Sequence, residues 1–444
     1  MNRLFEREKQ TRLFQAVMKI CTLLRGAGGH ALLVGGCVRD ALAGMNAEDF
    51  DLEVRGLSSE QIRRALEGEF ELDTVGASFG ILKVRHFAID ISLPRRENKT
   101  GSGHRGFLVE TDPFLSFREA SARRDFTVNA ILYDPLTGEQ IDPWNGAADL
   151  KAGILRHVSG HFAEDPLRVL RAMQFSARFG FSVAPETVGI CSRMVQTELP
   201  LSRIAAEWEK LLLKGIKPSL GLAFLRDCGW IRYYPEWEAA VRSPERSAAL
   251  FSALDESVKF RTGNPDADLL LGVSVLCLFS RNDPDPDAAA RAAVARITDR
   301  KGVADRVLPL LRAFSSVADI DPGSPDPDSV LRRLAAAAGN LDLLFRLCGC
   351  GLCAEDLSAE ERSRKRGELL RLRRRAEAMN ILFRPPERIL QGRHLLALGI
   401  SPGPDMGAFL DRAYEAQLSG AFEDPEGALA WAEKTSGMSG RGKK

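Results

Sequence analysis

The chain has 444 residues, 45% of them hydrophobic and 27% charged, which suits a folded globular protein with two to four packing units. Lys and Arg number 61 against 60 Asp and Glu, so a nucleic-acid partner has to show in local clusters and not in the net charge of +1. No apolar run is long enough to span a membrane, residues 1–9 lack the apolar core of a secretory signal, and eight cysteines do not suggest a disulfide framework, so a cytoplasmic protein with no membrane partner is expected.

Residues 1–25 read as a charged amphipathic helix. Ala31-Leu32-Leu33-Val34 is a short buried strand that ends in a Gly35-Gly36 turn, and Val38 to Leu42 reads as helix. Asp49 to Val54 alternates with period two, as a strand does, and residues 80–84 and 87–91 predict two more strands. Thr127 to Tyr133 is a further element, followed by a turn at Asp134-Pro135-Leu136-Thr137-Gly138. Residues 26–150 thus form a mixed α/β unit. From Pro166 onward the pattern is helical, with 3.6-period runs over Leu167 to Phe179 and Ile204 to Leu213. Two acidic, Pro-rich breaks, 282–287 and 321–327, read as surface loops or hinges, and 439–444 as a disordered basic tail.

Asp49 and Asp51 stand two apart on the expected strand, so their carboxylates share a face. Such a pair repels itself unless a cation lies between, and Mg²⁺, which takes hard oxygen ligands and phosphates, is the natural occupant. On spacing alone a solvent-facing acid pair is an equal reading. Asp90, inside an apolar strand, is a candidate third ligand. Gly35-Gly36 between strand and helix suits close approach of backbone N–H groups to a triphosphate, with Arg39 one turn into the helix, although Gly-Gly turns are common.

Five stretches then occur in order: Gly35-Gly36-Cys37-Val38-Arg39-Asp40 with Asp49-Phe50-Asp51; Arg123-Arg124-Asp125-Phe126-Thr127-Val128-Asn129-Ala130; Asp142-Pro143-Trp144-Asn145-Gly146 with Asp149-Leu150; Glu164-Asp165-Pro166-Leu167-Arg168 with Arg171; and Arg203-Ile204-Ala205-Ala206-Glu207. Together they resemble the motifs of class II tRNA nucleotidyltransferases and bacterial poly(A) polymerases, members of the DNA polymerase β superfamily. The resemblance implies an α+β protein: a polymerase β-like head at 26–150 after the helix at 1–25, then an all-helical neck (151–215), body (216–380) and tail (381–444). It implies that Asp49 and Asp51 bind Mg²⁺, with Asp90 as a further strand carboxylate. Gly35, Gly36, Arg39, Arg124, Asp125, Asn129 and Arg171 would meet the nucleotide. Many relatives carry another Arg one turn after Arg171, where this chain has Gln174.

Asp165 and Arg168 lie on one helix face and, without the resemblance, read as a capping acid with a surface ion pair. The resemblance gives them the reading of the base. Cytosine and adenine each offer an amino donor beside a ring-nitrogen acceptor, which a carboxylate and a guanidinium match, whereas uracil and guanine reverse that order. The expected activity is addition of C and A to the 3′ end of tRNA from CTP and ATP, with pyrophosphate released. A-only, CC-only and poly(A) addition are rivals within the family, and a catalytically silent tRNA-binding protein is a rival outside it. The polar, basic stretch 95–106 reads as a surface loop, in a place where family members have a flexible loop that helps the switch from C to A. The dense cluster that includes Arg364, Lys365, Arg366, Arg373 and Arg374 is either a solvated helix face or a grip on RNA phosphates, and the second is favoured. Cys348, Cys350 and Cys353 lack zinc-ribbon spacing and read as buried thiols, and His157 and His161 read as structural. No protein partner is evident.

Overall fold

The amphipathic start forms α1 (Arg12–Gly26), whose first turn is capped where the Thr11 hydroxyl accepts from the Phe14 N–H. Phe14, Val17, Ile20, Cys21 and Leu24 make up its buried face. The computed structural model describes residues 4–73, 81–99, 107–197, 199–280, 285–317, 320 and 326–436. It divides into two units, Met1–Tyr233 and Tyr234–Lys444.

In the first unit the strands are β1 (His30–Val34), β2 (Phe50–Arg55), β3 (Leu72–Asp73), β4 (Ile81–Val84), β5 (Ile89–Ser92), β6 (Arg95–Lys99), β7 (Phe107–Thr111), β8 (Leu132–Tyr133), β9 (Gln140–Ile141), β10 (Ile154–Leu155) and β11 (Ser182–Val183), the last two a short parallel pair within the stretch 151–215 that was expected to be all-helical. Seven of them form one mixed sheet in the order β3-β4-β5-β2-β1-β8-β9. The helices after α1 are α2 (Gly36–Leu42), α3 (Ser59–Leu66), α4 (Phe117–Ser121), α5 (Gly146–Ala152), α6 (Leu167–Phe179), α7 (Pro185–Arg193), α8 (Leu201–Lys214) and α9 (Pro218–Asp227). One core joins the buried face of α1 to Leu33, Leu52, Val54, Ile62, Leu82 and Ile91 from the sheet and α3. The architecture is α+β, a sheet-bearing head with a helical remainder.

Three further expectations need correction. The strand over Asp49 to Val54 begins one residue later, at Phe50, so Asp49 sits at its threshold. The stretch from Arg95 is not all loop, because β6 and β7 pair antiparallel from Arg95↔Thr111 to Lys99↔Phe107, while 100–106 lies outside the described residues. The two acidic breaks also end in structure: Asp285 and Asp326 accept from the backbone N–H of Ala288 and Ser329 and cap the helices Pro286–Ile297 and Pro327–Ala338. An Asp-Pro pair is a helix start as well as a loop signal, since Asp caps and Pro tolerates the first helical position. The tail at 439–444 is outside the described residues.

In the second unit every regular element described is helical. Its helix Pro265–Leu278 is apolar on all sides and buried from Asp268 to Cys277, as a central helix must be. Among the described residues no helix is long and apolar enough to cross a membrane.

Candidate active site

Strand register brings the two halves of the first motif together. Val34, the last residue of β1, is the antiparallel partner of Asp51, so the turn that follows Val34 rises beside that carboxylate. Gly35 turns the chain at φ 78°, and a Cβ there would lie 3.3 Å from Arg124 Nη1 and 3.6 Å from Asp51 Oδ2. Asp49, Asp51, Gly35 and Gly36 line one cavity of about 780 Å³. The two carboxylates therefore face one space beside the glycine turn. Neither makes a hydrogen bond or close ion pair among the described residues.

Burial raises the Asp51 carboxyl above its ordinary range; Arg124 opposes this, while Asp49 and Asp90 reinforce it. An acid pair left without partners in a walled cavity fits a hard divalent cation by its oxygen donors and by its unbalanced charge. Among the described residues no ready-made cluster of three acidic, His or Cys ligands occurs, so substrate phosphate or water would have to complete the shell. Asp90 is the parallel partner of Asp51 on β5, but its Oδ2 lies 3.4 Å from Lys83 Nζ and it does not line the cavity.

The same cavity is lined by six cations, Arg39, Arg124, Arg171, Arg178, Lys210 and Lys214. A chain of hydrogen bonds fixes part of this lining. Asp125 accepts from the Phe126 N–H at 2.8 Å, from Asn129 Nδ2 at 2.9 Å and from Arg171 Nε at 2.8 Å. Asn129 Oδ1 in turn accepts from Arg39 Nη1 at 2.6 Å, and Arg39 Nε donates to Asp40 at 2.8 Å. The Arg39 guanidinium also packs 5.1 Å and 4.6 Å from the ring centres of Phe175 and Phe179. Burial would raise Asp125, but Arg171, Asn129 and the Phe126 N–H prevail and hold its carboxyl at about 2. Asp125 and Asn129 thus act on the cavity mainly by holding Arg39 and Arg171 in place.

Residues 31–156 match the family of the Poly A polymerase head domain. The "Multifunctional CCA protein" of Xanthomonas oryzae pv. oryzae (strain MAFF 311018) is 42% identical over 222 residues, covering 48% of this chain and 53% of that protein. The protein of the same name from Chromobacterium violaceum is 39% identical over 219 residues, 48% of this chain and 52% of its own length. The matched region thus spans about half the length of these curated relatives. Among solved structures, the Bacillus stearothermophilus CCA-adding enzyme in complex with CTP aligns with a TM-score of 0.69 at 24% identity, over 97% of this chain and 99% of that one. The Thermotoga maritima CCA-adding enzyme complexed with tRNA aligns with a TM-score of 0.61 at 19% identity, over 98% of each chain. These two likenesses show a common fold.

Residues 31–156 thus carry the poly A polymerase head-domain family, and about half of the chain is similar to the multifunctional CCA proteins.

Two of the family motifs act as scaffold. Asp142 accepts from the N–H groups of Gly146 and Ala147 at 2.8 and 2.9 Å, and Asp149 accepts from the Thr127 hydroxyl at 2.7 Å, so the third motif clamps the turn that carries Asn129. In the fifth motif Arg203 Nη2 pairs with Asp165 Oδ2 at 2.9 Å. Asp165 also accepts from the Leu167 N–H at 3.0 Å, just ahead of α6. Arg168 donates to the carbonyls of Arg123, at 2.6 Å, and His161. Asp165 and Arg168 do not pair with each other and do not line the large cavity, whereas Arg171 does.

The lining residues that sequence reasoning missed include Phe175 and Arg178 on α6 and Lys210 and Lys214 on α8, besides Met45, Asn46 and Glu48. The available signal was spacing, since Arg171, Phe175 and Arg178 share one face of α6 and Lys210 and Lys214 are one turn apart. Gln174 also lines the cavity; it is 1% exposed and its Oε1 has no hydrogen-bond partner among the described residues.

In the second unit the basic cluster is largely ion-paired. Arg364 meets Glu368, Lys365 Glu355, Arg366 Glu256 and Arg373 Asp342, at 2.7–2.8 Å. Arg374 is exposed and has no such partner among the described residues. Cys348 and Cys350 are buried, and burial pushes the Cys348 thiol up to about 12 and raises Cys350 as well. His157 and His161 hydrogen-bond to Thr187 and Glu164, each at 2.8 Å.

Proposed function

We propose that this chain adds C and A nucleotides, without a template, to the 3′ end of tRNA. The RNA 3′-hydroxyl attacks the α-phosphorus of CTP or ATP, and pyrophosphate leaves. The observation that carries this reading is the meeting, in one cavity, of two unpartnered carboxylates, a glycine turn and six cations.

Asp49 and Asp51 would hold Mg²⁺, with Asp90 beside Asp51 as an outer carboxylate. A divalent cation bound there supplies Lewis-acid activation of the hydroxyl and neutralises charge on the departing pyrophosphate. Gly35 and Gly36 offer backbone N–H groups to the phosphates, and Arg39, Arg124 and Arg171, set by Asp125 and Asn129, neutralise the rest. Asp165 and Arg168 are assigned to the base: the carboxylate accepts the amino group and the guanidinium donates to the ring nitrogen. Arg168 spends two N–H bonds on carbonyls, which holds its plane while leaving other donors. Arg364, Lys365, Arg366, Arg373 and Arg374 are proposed to meet RNA phosphates, through exchange of their present partners where they are paired.

The names of the relatives, multifunctional CCA protein and CCA-adding enzyme, support the same substrates. The test is incubation of tRNA lacking its last one, two or three nucleotides with labelled CTP or ATP and Mg²⁺. Extension of all three to a complete CCA end is expected. Extension of only one class would assign A-only or CC-only addition, a long A tail would assign poly(A) synthesis, and no incorporation would refute the enzyme reading.

A further inference from the structure

The run Cys348-Gly349-Cys350-Gly351 is explained by its glycines. In the helix Leu341–Gly351, a Cβ on Gly349 would stand 2.6 Å from Phe260 Cζ, so the absent side chain lets that ring lie against the helix. Phe260 thereby walls a cavity of about 260 Å³ within the second unit, lined also by Phe345, Leu369 and Leu370. Its remaining side chains are three guanidinium groups, Arg346, Arg366 and Arg373.

The charge around this cavity does not cancel. Asp342 pairs with both Arg346 and Arg373, and Glu256 with both Arg366 and Lys259. Two carboxylates answer the three guanidinium groups of the cavity, which leaves one positive charge over, with Lys259 a further cation on Glu256 outside the cavity. Arg366 Nε is moreover buried with no hydrogen-bond partner among the described residues. Leu370 is 55% exposed and forms an apolar lip.

We propose that this cavity seats one unstacked nucleotide of the RNA acceptor, with its base between Phe260 and Leu370 and its phosphate on Arg366 and Arg373. The inference rests on the RNA-substrate reading above. A base needs an apolar, partly aromatic wall, and its phosphate needs cations not already neutralised. The volume suits a single ring system, since whole small-molecule ligands take pockets of roughly 300–1,000 Å³. An apolar protein segment would cover the apolar wall but would not use the surplus charge.

The test uses the full chain and a tRNA transcript lacking its terminal CCA, with binding followed by fluorescence anisotropy over a range of salt. Leu370→Glu should weaken binding about tenfold, in line with the loss of one stacked base. Arg373→Gln should weaken it and reduce the salt slope by about one. The affinity for CTP should match wild type in both, and the melting temperature should match in Leu370→Glu; Arg373→Gln also takes a partner from buried Asp342, so its binding is compared at a temperature where melting shows it fully folded. Wild-type tRNA binding in both variants overturns the proposal and leaves the cavity to a protein segment or to no ligand. If wild type still extends the transcript in that case, the nucleotide-addition reading stands without it. A wild type that neither binds nor extends tRNA overturns both.

Discussion

Val34 and Asp51 are register partners across β1 and β2, and this pairing puts the glycine turn next to the acid pair. A shift by one residue would send Asp51 to the other sheet face, because side chains alternate along a strand. The apolar partners Leu33↔Leu52 and Ala31↔Val54 hold the register by burying their side chains in the core. The site geometry is thus fixed by the packing of residues that neighbour Asp51 and Gly35 in the chain but face the core.

Asp51→Ala should therefore remove activity without unfolding the protein. Loss of a cation ligand worth several kcal/mol predicts at least about a hundredfold fall in kcat. The melting temperature should not fall, since Asp51 makes no hydrogen bond or close ion pair and is repelled by Asp49 and Asp90. Wild-type incorporation of labelled CTP by this variant would remove Asp51 from the mechanism.

Asp125→Ala should be costly to stability, because it leaves Arg171 and Asn129 without their shared acceptor. A loss of about 3–5 kcal/mol is expected from urea unfolding at neutral pH, as for other broken buried pairs. The sign with pH follows from the depressed carboxyl. Its contribution is complete above the ordinary carboxylate value of 3.8 and is lost as pH falls toward about 2. The deficit of the variant should hence narrow between those limits, and a gap of constant size through pH 2 would contradict the assignment.

Arg168→Ala should blur base choice. Discrimination of CTP and ATP against UTP and GTP is expected to drop by about tenfold or more, from about 1–3 kcal/mol of unpaired polar cost in the wild-type site. Because Arg168 also ties the carbonyls of Arg123 and His161, thermal melting is measured alongside. Equal selectivity in a folded variant would take the base-reading role away from Arg168.

Gly146→Ala tests the scaffold role of the third motif. The added Cβ would fall 2.1 Å from the Thr127 carbonyl oxygen, which is backbone and cannot swing aside. Destabilisation of about 1–3 kcal/mol is expected, with weaker nucleotide binding because the Asn129 turn has to move. A variant with the melting temperature and CTP affinity of wild type would show that the clamp is dispensable.

Most of the elements and the spacing of the candidate acid pair were legible in the sequence, because strand and helix periods and glycine turns are local properties; the β6–β7 pairing was not, because its register depends on a partner strand. The sequence also carried the five motifs on which the resemblance to the nucleotidyltransferase family rests. Only the tertiary structure decided which polar residues work on each other. Arg203 reaches Asp165 from 38 positions away, and Arg171 reaches Asp125 from 46. It likewise assigned Lys210 and Lys214 to the cavity, Asp142 and Asp149 to a clamp, and Gly349 to the seating of Phe260. Such pairings depend on how helices pack and how strands register, and no period or spacing along the chain encodes the distance between two side chains that folding brings together.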